Sequence, residues 1–312
     1  MTAARFADEV LGCGIAAYAG DVARDVVDHG QGPRAPRMRL GSRLRRLREA
    51  AGVSREDAGS RIRCSESKIS RMELGQVGFK ERDVADLLTM YGVKHVDTRD
   101  ELMNLVRLAN APAWWQTYGD IVPGWFADYV GLESNASLIR TYEVQFVPGL
   151  LQTEAYARAV TLLGHRGAYA DEINQRVRFR MRRKAQLDRP EAPKLWTVLD
   201  EAALRRPIGG VDVLREQLIA LRAAARLPHI TIQVMPFGAG GHSAAGGAFS
   251  ILRFPERDLD DIVYIEQMIG ATYLHKQDEI EFYTIAMDHL CAESPPPDHT
   301  DGIIAKIITE LD

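Results

Sequence analysis

Residues 40–75, LGSRLRRLREAAGVSREDAGSRIRCSESKISRMELG, read as three short helices joined by tight turns. Leu40, Leu44, Leu47 and Ala51 recur at spacings of four, three and four, which places them on one helical face, with Arg43, Arg45, Arg46 and Arg48 on the remainder. Gly52 supplies the stop. Ser54, with Asp57 three residues on, marks a second start: a serine oxygen can accept from a free N–H of the first turn, and the acid resembles the partner in a capping box. Ala58 and Ile62 form the inner face of that helix. Cys64 and Ser65 make the next turn, and Ser65 caps the third helix. Ile69 and Met72 anchor it, so Glu66, Ser67, Lys68, Ser70 and Arg71 face outward or sideways until Gly75 ends it.

The run SREDAGSRIRCSESKISRMELG, residues 54–75, resembles the lambda-repressor-like, or XRE-type, helix-turn-helix, whose second and third helices end in a pattern close to S-x-x-x-I-S-R-x-E-x-G. Here Ser65, Ile69, Ser70, Arg71, Glu73 and Gly75 fill it. Two positions depart: Gly59 stands where alanine is usual, and Arg63 where the turn usually has glycine. A non-glycine residue at positive φ costs about 1–2 kcal/mol. Either Arg63 carries that strain or the turn takes another shape.

The resemblance implies roles position by position. The third helix, residues 65–73, is expected in the major groove of double-stranded DNA, with Glu66, Ser67 and Arg71 reading bases. The chemistry fits: Arg71 can donate twice to guanine O6 and N7, Glu66 can accept from cytosine N4, and Ser67 can pair with several bases. Ser54, Arg55, Lys68, Ser70 and Lys80 are expected on the DNA backbone, where contacts set register. Arg48 and Glu73 are expected to form a structural ion pair.

Charge is distributed accordingly. Residues 38–94 hold 13 Lys or Arg and 8 Asp or Glu, a net of +5, in a chain whose total is -4. Net positive charge is therefore segregated into one unit, as expected if that unit meets a polyanion. Arg43, Arg45 and Arg46 read equally well as phosphate contacts or as a solvated face. Further on, Val84, Leu87, Leu88 and Tyr91 suggest a fourth helix, and Leu102, Leu105, Val106 and Leu108 a fifth. Pro112 and the cluster Trp114, Trp115 and Trp125 change the composition, so the all-α unit is expected to span 38–110. The tryptophans read as interface or core before base-stacking platforms.

Residues 111–312 suffice for a second core. HITIQVMPF, AFSILRFP and DIVYIEQM read as strands, with ATYLHK an antiparallel neighbour of the last around Gly270. Helical periodicity marks TEAYARAVTLLG, DEINQRVRFRMRRKAQLD, VDVLREQLIALRAAARL and KQDEIEFYTIAMDHLCAES. The expected fold class is an all-α lambda-repressor-like domain followed by an α+β domain with a mixed or antiparallel sheet. The blocks VPGLLQTEAYARAV, LDEAALRRPIGG, ITIQVMPFGAGGH and VYIEQ are similar to those of an actinobacterial domain of unknown function commonly fused behind XRE-type modules. That resemblance implies a cytoplasmic, nucleoid-associated regulator. Its C-terminal domain would sense a ligand or dock a partner, including a small protein encoded nearby. A homodimer is expected, since one short helix reads few bases and paired half-sites multiply specificity. A protein-interaction adaptor with a DNA tether and a DNA-linked hydrolase are the competing readings.

Catalytic signals are weak. FGAGGHSAAGGAF lacks the lysine and the glycine order of a phosphate cradle and reads as a loop between strands. His242, Ser243, Asp200, Glu201 and Glu266 form at most an imagined acid/base set, so no enzyme, cofactor or metal is expected. Basic RVRFRMRRK, residues 176–184, reads as a helix paired with acids of its own domain ahead of a second nucleic-acid patch. Cys13, Cys64 and Cys291 are too scattered for zinc spacing or a disulfide framework. No apolar run approaches the roughly 18 residues that a membrane span requires. Residues 1–37 read as an extension with two interpretations. Met38 is the start in the cell, or the segment is a mobile arm carrying Arg34, Arg37 and Arg39 to DNA.

Overall fold

A computed structural model describes residues 34–165, 167–244, 246–255 and 259–311. The helical unit comprises α1 (Arg34–Ala50), α2 (Arg55–Arg61), α3 (Glu66–Glu73), α4 (Glu81–Met90) and α5 (Val96–Asn110). Most of the expected stripe forms its core: Leu40, Leu44, Ala58, Ile69, Met72, Val84, Leu87, Leu88, Leu102, Leu105 and Val106 pack together, each at most 5% exposed, whereas Ala51 and Leu108, placed on the same faces by their spacing, are exposed.

The start of α1 differs from expectation. It begins at Arg34, four residues ahead of Met38, with Pro36 in the first turn, where a missing N–H leaves no helical bond unmade. Ala35 and Arg37 are buried. Arg34 is ion-paired with Asp128 at 2.6 Å and lies 4.9 Å above the Tyr273 ring, both in the second unit. The arm reading therefore fails for Arg34 and Arg37, and the helical unit reaches back beyond residue 38. The rest of the extension, residues 1–33, lies outside the described residues.

The second unit is built on α6 (Gly124–Glu133), β1 (Leu138–Glu143), α7 (Glu154–Gly164), α8 (Ala170–Lys184), β2 (Lys194–Asp200), α9 (Glu201–Arg205), α10 (Val211–Ala224), β3 (Ile230–Met235), β4 (Phe249–Arg253), β5 (Ile262–Gln267), β6 (Gly270–Leu274), α11 (Gln277–Glu293) and α12 (Thr300–Thr309). The six strands run in the order β3-β2-β1-β4-β5-β6. β1, β2 and β3 are parallel and joined by helical crossovers, while β4, β5 and β6 form an antiparallel meander. The sheet is thus mixed, and the β5–β6 hairpin turns where Gly270 suggested, with Gln267 opposite Gly270. One face packs against α7, α10 and α12, the other against α11.

The basic helix α8 faces inward. Val177 and Phe179 are buried, Arg183 donates to Glu133 at 2.6 and 3.1 Å, and Arg176 pairs with Glu172 at 2.8 Å and caps the Ile121 carbonyl at 2.7 Å. Arg182 lies 4.7 Å above Trp114, which itself packs edge-on to Trp115 and against Phe179. These cations hold their own domain together, and the tryptophans are packing groups.

Glu143, half-buried at the end of β1, has its carboxyl pushed up to about 8 by burial and then by the nearby Glu266. An acid raised in the folded state binds its proton more tightly there than in the unfolded chain, whose ordinary value is 4.5. Its contribution is therefore whole below that value and declines as pH rises toward 8. Melting curves between pH 5 and 8 should show the native protein losing Tm faster than Glu143→Gln; parallel curves for the two would refute the assignment.

Candidate nucleic-acid interface

Local chemistry sets the two helices of the interface. Ser54 caps α2 by accepting from the Asp57 N–H at 3.0 Å, but its hydroxyl donates to the Asp57 carboxylate at 2.7 Å. That carboxylate thus bonds the serine side chain, where a capping box would have it on the Ser54 backbone. Ser65 caps α3 through the Lys68 N–H at 3.3 Å.

The turn between them keeps its usual shape, and Arg63 bears the strain with φ +56°. It is the only non-glycine residue at positive φ among the described residues. Gly59 complements it. The Cys64 N–H donates to the Gly59 carbonyl at 2.8 Å, and a Cβ on Gly59 would lie 2.7 Å from the Cys64 oxygen. The backbones of α2 and the turn are therefore closer than alanine permits.

α3 is held from behind and bare in front. Ile69 and Met72 are 1% and 2% exposed, and Glu73 is buried against Arg48, which donates to it at 2.5 and 3.1 Å and to the Val53 carbonyl at 3.0 Å. The Glu73 hydrogen bond holds the Arg48 guanidinium above its ordinary range. The structural pair is as anticipated. Arg55, half-exposed, also donates Nε to Glu73 at 3.1 Å, which leaves its terminal nitrogens for other partners.

Of the candidate base readers, Glu66, Ser67 and Arg71 are exposed, and Ser67 and Arg71 share a face at a spacing of four. Lys68 and Ser70 are half-exposed flanks, and Ser54 and Lys80 are exposed. Lys68, Arg71 and Lys80 border one cleft of about 440 Å³ with Asp83 and Asn110. Asn110 shapes it, donating to the Phe79 carbonyl at 2.6 Å and accepting from the Phe79 N–H at 3.4 Å. Sequence reasoning missed this clamp, because a helix-terminal asparagine reads as a stop and its partner lies 31 residues away. On α1, Arg45 pairs with Glu49 at 2.9 Å and Arg43 with Glu101 at 3.8 Å, while Arg61 of α2 pairs with Asp86 at 3.4 Å. Arg43 and Arg45 thus sit on a salt-bridged surface, and the cations borne by α3 and Lys80 form a separate group.

In the second unit, only part of the imagined acid/base set assembles. His242 Nδ1 accepts from the Ala244 N–H at 3.2 Å, so a neutral ring carries its proton on Nε2, 2.9 Å from the Tyr142 hydroxyl. That hydroxyl donates to Asp200 at 3.3 Å, and burial and then Asp200 raise its pKa. Ser243 instead donates to the Ala286 carbonyl at 3.0 Å, Glu201 is held by the Phe237 N–H and Arg205, and Glu266 accepts from Tyr264. No serine reaches the histidine among the described residues. Tyr142 was not foreseen because β1 itself was not. No metal-ligating cluster of His, Cys, Asp and Glu occurs among the described residues, and none of their helices is long and apolar enough to cross a membrane.

Two family models match the chain. Residues 39–102 match a Helix-turn-helix domain, and residues 126–306 match the Domain of unknown function (DUF5753). No curated protein and no solved structure matches.

Three substitutions test the turn and the anchor. Arg63→Gly should raise stability by up to about 1 kcal/mol by relieving the left-handed strain, and Gly59→Ala should lower it by about 1–3 kcal/mol through overpacking. Glu73→Ala, which strands a buried guanidinium, should cost about 3–5 kcal/mol. Urea melts followed by circular dichroism report all three, and an unchanged midpoint for Glu73→Ala would show that the pair does not anchor α3.

Proposed function

This chain belongs to the family of the Domain of unknown function (DUF5753), and we propose that it is a sequence-specific, DNA-binding transcriptional regulator of the XRE type. The observation that carries the reading is the bare outer face of α3. Glu66, Ser67 and Arg71 project from a helix whose inner side is buried and whose C-terminal acid is pinned by Arg48. Support comes from the helix-turn-helix match over 39–102 and from the concentration of positive charge in that unit.

In this reading α3 enters the major groove, Arg71 and Glu66 read base edges, and Ser67 adds a permissive contact. Lys80, Lys68, Ser70, Ser54 and the free nitrogens of Arg55 meet phosphates. Two copies bind paired half-sites as a homodimer in the bacterial cytoplasm, on the nucleoid of an actinobacterium. The C-terminal domain is the input module, taking a small ligand or a small protein encoded nearby, and it performs no catalysis.

The test is a binding-site selection from random duplexes, followed by titrations at several salt concentrations. Arg71→Ala should weaken the selected site roughly 5- to 150-fold, the range for losing a bidentate base contact, while changing random DNA little. Lys80→Ala should weaken both equally and reduce the slope of log K against log salt by about 0.9. Equal losses on both DNAs for Arg71→Ala would remove it from base readout, and failure to select any sequence would remove the specific-regulator reading.

A further inference from the structure

The helix α11 covers one face of the sheet with Ile280, Ala286, Met287 and Leu290, which are buried. Its outer side carries a second apolar stripe. Phe282, Ile285, His289 and Ala292 are exposed and recur at spacings of three, four and three, which aligns them along the outside of the helix. Phe282 and Ile285, 69% and 48% exposed, are its apolar centre. A stripe at that spacing is the a/d seam of a two-helix contact. The inner face already packs the sheet, so the fold leaves this seam facing solvent.

Charge borders the seam with one sign. Glu281 and Asp288, seven residues apart, run along one flank, Asp278 precedes the stripe and Glu293 closes it. The helix carries these acids and Glu279 but no lysine or arginine. Lys276 meets Glu279 at 3.5 Å and Arg140 meets Asp288 at 2.5 Å, while Asp278, Glu281 and Glu293 have no cation at ion-pair distance among the described residues. In a two-helix contact the residues that flank the seam choose the partner by charge. Carboxylates there repel a second copy of α11, nucleic acid and an anionic membrane. Residues 1–33 hold two arginines and five acids, so that segment of the chain is repelled as well. A helix flanked by lysine or arginine is attracted.

We propose that the outer face of α11 docks a basic amphipathic helix of another protein, whose apolar stripe packs on Phe282 and Ile285 while its cations meet Glu281, Asp288 and Glu293. A seam this short makes a small interface, suited to a partner that binds and releases. The contact gives the input module above its partner chemistry, and it rests on that reading only for an effect on DNA.

The full chain should be titrated, without DNA, with a synthetic peptide of about three heptads that has leucine at a and d and lysine at e and g, and with its counterpart carrying glutamate at e and g. The lysine peptide should bind saturably at one site per chain, and the glutamate peptide at least ~10-fold more weakly. Phe282→Ala combined with Ile285→Ala leaves every charge in place, so a loss of about 10-fold at an unchanged melting temperature separates docking from nonspecific attraction. Glu281→Lys combined with Glu293→Lys should turn the preference toward the glutamate peptide. Leu162→Ala, an exposed position of α7 across the sheet, should change neither affinity. Equal affinity of the native chain for the two peptides, or undiminished binding after the Phe282 and Ile285 substitutions, would overturn the docking face. Sedimentation of the native chain completes the test: a dimer that those two substitutions dissociate would give the face to a second copy and overturn the proposal. Since none of these measurements contains DNA, failure to select a DNA sequence would leave the docking face standing, and loss of peptide binding would leave base readout untouched.

Discussion

The buried contact between Arg48 and Glu73 is the constraint on which the presentation of α3 depends. A charged pair out of water contributes little net stability, but either partner alone is intolerable, so it admits few alternative packings. Arg48 meets both carboxylate oxygens of Glu73 and the carbonyl of Val53, and Arg55 adds a third nitrogen to the same acid. Two nitrogens on two oxygens fix an angle as well as a distance. The last turn of α3 is thereby locked to α1 and to the start of α2, while Ile69 and Met72 seat its inner side in the core of the helical unit.

α1 acts as a spine for the whole molecule. Its first turn belongs to the second unit, through Arg34 on Asp128 and the Tyr273 ring. Its middle crosses the end of α3 at Gly41, where a Cβ would collide with the carbonyl oxygens of Met72 and Glu73. Its last turn carries Arg48. Seventeen residues, or about 25 Å at 1.5 Å per residue, thus connect the C-terminal domain to the back of the candidate reading helix. Packed interiors transmit displacement poorly as deformation and well as rigid shifts. A helix rooted in both units is suited to the second.

The second unit repeats the device. Arg183 reaches Glu133 from α8 with two hydrogen bonds, Gln186 completes the carboxylate at 2.8 Å, and Phe126 and Tyr129 cover the guanidinium. Within the basic stretch, Arg176, Arg182 and Arg183 are engaged by internal partners, as the sequence suggested, and the aromatic cluster shared with Trp114 closes the seam between α6 and α8.

Much was legible in the residues themselves. Helical spacing located α1 to α5, and serine caps located the starts of α2 and α3, because those signals arise within a few residues of backbone. The ending that contains Ser65, Ile69, Arg71 and Glu73 pointed to α3 as the candidate reading helix, and alternation and Gly270 located β5 and β6. β1 and β2 escaped, since polar residues, Arg140, Thr141 and Glu143 in one and Lys194, Thr197 and Asp200 in the other, break up both the apolar run and the alternation that mark a strand. The strain at Arg63 and the close backbone approach at Gly59, the Asn110 clamp and the cleft between α5 and Trp114 also waited for coordinates. Sequence by itself determined the helices of the N-terminal unit and the buried stripe that leaves Glu66, Ser67 and Arg71 on the outer side of α3, through interactions that span one or two turns. Tertiary structure alone decided which cations remain outside, whether Arg34 is an arm or an anchor, and where the two units leave space. Those depend on partners far apart in the chain, brought together only by packing.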